Sequence, residues 1–220
     1  HNYGSMLQAL ATQMALDKLE YENETIDISS FIHEIKKAKM LYFAKASLTS
    51  DILLSKLGMG KNVIRKKFSK SPYADQSKIR GKYFDEFYKK HFRLSDKYDF
   101  KAALGAACKD NYEAVVVGSD QLWLPGNIAA DYYTLNFVPE EVNSIAYSTS
   151  FGQSVLPSDS EKKASVFLKR IKHISVREES GQKLVKELAS RNVPVVCDPT
   201  LLFTGDGWME IQNEEAIVDG

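Results

Sequence analysis

The stretch "VVVGSDQLW" ends a run of valines with a glycine, a hydroxyl, a carboxylate, an amide and an indole, carried by Gly118, Ser119, Asp120, Gln121 and Trp123. These groups suit a sugar. A carboxylate at Asp120 accepts a hydroxyl proton or orients the hydroxyl. An indole at Trp123 offers an apolar face to a ring and an N–H to a polar partner. The competing reading is architectural: Asp120 caps a turn and Trp123 fills the core.

Three further stretches carry chemistry. "ISVRE" places Arg177 and Glu178 where another apolar run ends. A guanidinium there grips a carboxylate or phosphate with two parallel hydrogen bonds, or it ties loops together through Glu178, Glu179 or Asp198. "NYGS" places Asn2, Tyr3 and Gly4 just ahead of an amphipathic segment. Free amides at a helix start attract anions, and a glycine permits close approach to the backbone; an ordinary strand–helix turn would look the same. "SIAYSTSFG" supplies Ser148 and Gly152 after a third apolar run.

Other chemistries lose support. Lys and Arg total 29 against 29 Asp and Glu, so no charge excess points to nucleic acid. The G-x-G-x-x-G and Walker patterns are absent, as is a G-x-S-x-G elbow. Cys108 and Cys197 lie far apart, without metal-ligand spacing, and read as reduced and buried. His33, His91 and His173 default to structural roles, while His1 sits beside the NYG loop and within reach of a cleft. No metal cluster and no run of about 18 apolar residues is present. The basic stretch "KNVIRKKFSK" reads as a solvated helix face, with a peripheral membrane contact as the minority reading.

The elements that must position these groups follow from periodicity. Leu7, Leu10, Ala11, Met14 and Leu19 share one helical face, which predicts a helix over about Met6 to Leu19, with Ser5 and Gln8 as a capping box. "ETIDI" predicts a strand. Residues of about 31–93 carry apolar groups at helical spacing, broken near "LGMG" and "SKSPYAD", which predicts a helical insertion. Beyond residue 98, helices near Phe100–Lys109, Ser158–Ile171 and Gly181–Ser190 alternate with "EAVVVGSD", "NSIAYSTSFG", "HISVREES" and "VPVVCDPT". Continuous apolarity in those runs indicates strands covered on both faces, hence an α/β fold with a doubly wound, mainly parallel sheet. Ligands in such sheets gather at the carboxyl ends of the strands. Four polar clusters fall at such ends: Gly118 to Asp120, Ser148 to Gly152, Arg177 with Glu178, and Asp198 with Pro199.

Taken jointly and in order, "NYGSMLQALATQMALDKL", "YFDEFYKKHFRLS", "VVVGSDQLW", "SIAYSTSFG", "ISVREESGQKL" and "VCDPTLLF" resemble the polysaccharide pyruvyl transferase family over nearly the whole chain. The resemblance implies a Rossmann-like half of a GT-B-type enzyme over residues 1–205, lacking its first strand. Residues 206–220 would begin a linker toward a second domain, and that domain's histidine and arginine are implicated in binding phosphoenolpyruvate. It implies transfer of pyruvate from phosphoenolpyruvate to a sugar or lipid-linked oligosaccharide acceptor, without a cofactor, in the cytoplasm at the inner face of the membrane. By the same resemblance Arg177 is the expected anion contact and Asp120 the acceptor-orienting or basic group. Asn2, Tyr3, Gly4, Gly118, Ser119, Trp123, Ser148, Gly152 and Glu178 line the substrates. A nucleotide-sugar glycosyltransferase on the same frame, or a non-catalytic sugar-binding domain, are the alternatives.

Overall fold

A computed structural model describes residues 2–48 and 74–211. Helix α1 spans Tyr3–Lys18. It begins three residues before the expected start because Asn2 is its cap: the Asn2 side chain accepts from Gly4 N at 3.0 Å. That cap replaces the expected Ser5–Gln8 box. Gln8 Nε2 instead donates to the Ser5 carbonyl oxygen at 3.0 Å, which leaves the Ser5 hydroxyl for another partner. "ETIDI" forms a single parallel bridge, Thr25 with Leu94, rather than an extended strand.

A 3-10 turn, Ser29–Phe31, leads into α2, Ile32–Leu48, and α3 covers Ala74–His91. The described parts of the expected insertion are therefore helical. The "LGMG" break, the basic stretch 61–70 and His1 lie outside the described residues.

The alternating half of the chain follows its pattern. Helix α4, Lys101–Asn111, precedes β1, Ala114–Val117. Helix α5, Pro125–Ala130, and β2, Asn143–Thr149, come next. Then follow α6, Ser158–Arg170, β3, His173–Val176, and α7, Glu179–Ala189. The three strands pair in parallel in the order β1-β2-β3. The "VPVVC" run adds one parallel bridge, Val195 with Val176, at the β3 side. A 3-10 turn, Pro199–Leu202, and α8, Gly205–Met209, complete the described chain.

The expected burial on both faces is not what the strands show: along each one buried residues alternate with intermediate or exposed ones, because only one face packs fully into the core. Val115, Val117, Ala146, Ile174 and Val176 are all buried, beside Phe151, Phe167 and Leu168 from the adjoining loop and helix. Burying one such large side chain stabilises the fold by about 1.5–3 kcal/mol. Cys108 belongs to this core, and burial pushes its thiol up to about 11. Cys197 departs from expectation: it is exposed, because its segment touches the sheet at one bridge only. Helix α2 lies over α5, where Phe43 and Lys39 close on Gly126. Helix α1 packs on the 199–202 turn, and this contact brings the chain's first helix to the carboxyl ends of the strands.

Candidate active site

Parallel strands all deliver their carboxyl ends to one edge of the sheet, so the residues after β1, after β3 and after the Val195 bridge become neighbours there. A cleft of about 440 Å³ lies at that edge. Gly4, Leu7 and Gln8 of α1 line it from one side; Asp120, Arg177 and Asp198 line it from the strand ends, with Thr200 and Trp208 beyond them.

Asp120 is held from several directions. Its Oδ1 accepts from Gln121 N at 2.8 Å, and its Oδ2 accepts from the hydroxyl of Ser5. Its backbone sits at φ +85°, a region that non-glycine residues rarely occupy. The surroundings compensate: the Asp120 carbonyl oxygen accepts from Leu122 N at 2.8 Å and from Ser150 N at 3.0 Å. Backbone strain of this kind, pinned by neighbours, is common where a side chain must be aimed.

Arg177 is answered by carboxylates. Its Nη1 lies 3.3 Å from Asp198 Oδ2 and its Nε lies 3.8 Å from Glu178 Oε2. Asp198 in turn caps the 199–202 turn, its Oδ1 accepting from Thr200 N at 3.0 Å and from the Thr200 hydroxyl at 2.7 Å. Ser119 Oγ donates to Asp198 Oδ2. Burial raises the Asp198 pKa, but the hydrogen bonds from Ser119, Thr200 and Arg177 outweigh it and hold the carboxyl below its usual range.

Several expected contacts take supporting places instead. Trp123 is wholly buried: its indole packs on Phe151 and Phe167 at 5.0 and 5.3 Å, and its N–H donates to Tyr133 O at 3.0 Å. Its face is closed to a sugar, so the core reading is the correct one. Ser119 and Ser148 are likewise fully buried. Ser119 works from behind through Asp198. Ser148, at φ +53°, forms the irregularity between β2 and β3, and its N–H donates to the Ser175 hydroxyl at 3.0 Å. Bulges of this kind re-aim a strand next to a site.

The remainder divide by location. Asn2 is exposed and spends its side chain on the helix cap. Tyr3 is exposed and turned against Phe84, ring centroids 4.4 Å apart, away from the cleft lining. Gly118 allows α1 to approach: a Cβ there would stand 2.9 Å from Gln8 Oε1. Gly152 is exposed at φ +65° in the loop after β2. Glu178 accepts from the Ser150 hydroxyl at 2.8 Å and flanks Arg177. Of the expected set, the structure brings Gly4, Asp120 and Arg177 to the cleft wall.

The sequence does not single out Thr200 or Trp208, and it casts Gln8 only as a capping-box residue. Gln8 hid in the pattern of an amphipathic helix. Trp208 follows "DPTLLFTGDG", beyond the last clear strand, where no periodicity assigns a side. Asp198 was visible as a strand-end carboxylate and as a partner for Arg177. Only the fold shows that one residue fills both positions.

The lining carries two carboxylates, Asp120 and Asp198, against one guanidinium, Arg177. Such a surface accepts hydrogen bonds from hydroxyl groups readily, and its one guanidinium is already paired with Asp198. No His, Cys, Asp and Glu grouping suited to a metal ion occurs among the described residues. No described helix is long and apolar enough to cross a membrane. A family model described as polysaccharide pyruvyl transferase matches residues 2–218. Searches of curated proteins and of solved structures returned no match.

Proposed function

The chain belongs to the polysaccharide pyruvyl transferase family, a family of transferases, and from that premise we propose that its cleft holds the acceptor sugar while pyruvate arrives from phosphoenolpyruvate. The observation that carries this reading is the meeting of Asp120 and Arg177 in one cleft whose charge is dominated by carboxylates. A neutral, hydroxyl-rich ring suits that lining better than a phosphorylated carboxylate does. Within this proposal the described chain is the Rossmann-like half of a GT-B-type frame. Most of the donor's negative charge meets cations on the facing half.

The chemistry assigns roles in order. The methylene carbon of the donor takes a proton and becomes a methyl group, leaving a cation-like carbon beside the phosphate oxygen. An acceptor hydroxyl attacks that carbon as its proton passes to a base. The carbon–oxygen bond to phosphate then breaks, and a second hydroxyl of the same sugar closes the ketal with loss of its own proton. Asp120 is the group for hydroxyl orientation or proton acceptance, being fixed by Ser5 and Gln121 with its side chain at the cleft. Arg177, restrained by Asp198 and Glu178, is the cation assigned to the donor carboxylate in this reading. A lipid-linked acceptor would place the reaction in the cytoplasm at the inner face of the membrane.

The test is acceptor-dependent release of phosphate from phosphoenolpyruvate, with nucleotide sugars as competing donors. Asp120→Asn should lower kcat/KM by about 10²–10⁴. Arg177→Ala should weaken donor affinity. Transfer within twofold of wild type in Asp120→Asn would remove that residue from the chemistry, and unchanged donor affinity in Arg177→Ala would remove the anion contact. Turnover of a nucleotide sugar in place of phosphoenolpyruvate would replace the donor assignment.

A further inference from the structure

The geometry points to Trp208 as the platform on which a neutral pyranose ring stacks in this cleft, an inference that rests on the sugar-acceptor reading above. The sequence holds two tryptophans, and they take opposite positions. Trp123 is sealed in the core with no exposed surface. Trp208 is partly exposed and lines the cleft together with Asp120, Arg177 and Asp198.

Trp208 is also held still. Its indole N–H donates to Thr200 O at 3.1 Å. Its ring meets Phe203 edge-on, with centroids 5.8 Å apart and planes at 70°. The Thr200 end of that bond belongs to the same turn that Asp198 caps, so one short segment positions both the indole and the carboxylate. A fixed aromatic ring beside carboxylates and a guanidinium is the combination that recognises a sugar. The ring takes the C–H face of the pyranose, and the charged groups take its hydroxyls. Gln8 adds to the cleft wall: it is more than nine-tenths buried, and its Oε1 has no hydrogen-bond partner.

The test uses fluorotryptophan-labelled protein and ¹⁹F NMR, with Trp208→Phe assigning the two resonances. The probes are methyl β-D-galactopyranoside, methyl β-D-glucopyranoside and N-acetyl-D-mannosamine. At least one should shift the Trp208 resonance and leave that of Trp123 in place. Trp208→Ala should weaken binding of that sugar about tenfold, while Trp208→Phe, which keeps a flat apolar ring, should stay within about threefold. In turnover, Trp208→Ala should raise the acceptor KM and spare kcat at saturating acceptor, a split that a merely structural role would not produce. A sugar that binds Trp208→Ala as tightly as wild type, or a panel that leaves the Trp208 resonance unmoved, would overturn the platform. The parent reading fails separately: a pyranoside that shifts Trp208 without supporting phosphate release from phosphoenolpyruvate keeps the platform and removes the transfer reaction.

Discussion

Ser5 and Asp120 stand 115 positions apart in the chain, and the Ser5 hydroxyl donates to Asp120 Oδ2. This bond joins the first turn of α1 to the loop after β1. It also completes the fixing of a carboxylate whose other oxygen is already held by Gln121 N. Removing the hydroxyl frees one side of that carboxylate. A hydrogen bond to a charged group contributes about 1.5–3 kcal/mol. Ser5→Ala should therefore lower kcat/KM by roughly 10- to 100-fold if Asp120 orients the acceptor, and Ser5→Thr should restore much of it. Steady-state kinetics with phosphate release check this, and equal rates in Ser5→Ala and wild type would separate Asp120's role from its anchor.

Asp198 predicts a pH signature. Its carboxyl pKa is lowered in the folded protein: burial pushes it up, and the bonds from Ser119, Thr200 and Arg177 more than offset that push. A depressed folded pKa contributes stability above the unfolded value of about 4 and loses it as pH falls through the lower folded value. Asp198→Asn should therefore be less stable than wild type at neutral pH, and the gap should close below about pH 4. Urea denaturation across that range would show it; a gap that stays constant with pH would mean the loss comes from packing.

Trp123 predicts a stability effect without a binding effect. Its indole fills the space between Phe151 and Phe167. Trp123→Ala should cost about 3–5 kcal/mol, the usual penalty for emptying a large aromatic site. Trp123→Phe should cost less and leave the acceptor KM unchanged. Equilibrium unfolding and kinetics on the same samples test both halves.

Two glycines predict a graded response. A Cβ at Gly105 would stand 2.8 Å from the backbone carbonyl oxygen of Phe137, which has little room to move. At Gly118 the obstacle is Gln8 Oε1 at 2.9 Å, the end of a side chain. Gly105→Ala should destabilise by about 1–3 kcal/mol, and Gly118→Ala by less. Gln8→Ala removes the obstacle, so Gly118→Ala combined with Gln8→Ala should cost less than the sum of Gly118→Ala and Gln8→Ala made singly. Thermal melts of the four variants and a double-mutant cycle would measure it.

Much of the scaffold could be read in advance, and the reason is local. β1, β2 and β3 coincide with "AVVV", "NSIAYST" and "HISV", short runs rich in β-branched and aromatic residues in which buried positions such as Val115, Val117, Ala146, Ile174 and Val176 recur at every second residue. Helices α6 and α7 carry polar residues on one side and buried ones such as Phe167, Leu168, Leu184 and Val185 on the other. The edge segments were less legible. "ETIDI" and "VPVVC" have strand composition, yet each makes a single bridge, since pairing depends on what lies alongside. The helix cap was misplaced by a similar ambiguity. Asn2 and Ser5 are both good capping residues, and Ser5 turned out to be engaged by Asp120.

By itself the sequence determined which residues reach the strand ends, since apolar period and composition are properties of a few consecutive positions. It placed Asp120 and Arg177 after their strands, and order along parallel strands puts such residues on one edge. The tertiary structure decided which side chains actually face the cleft. Trp123 and Trp208 have the same chemistry, and only packing from distant segments buries one and leaves the other at the wall. The same holds for Arg177 finding Asp198 and for Ser5 finding Asp120. Exposure and pairing are set by surfaces far away in the chain, and no local window contains them.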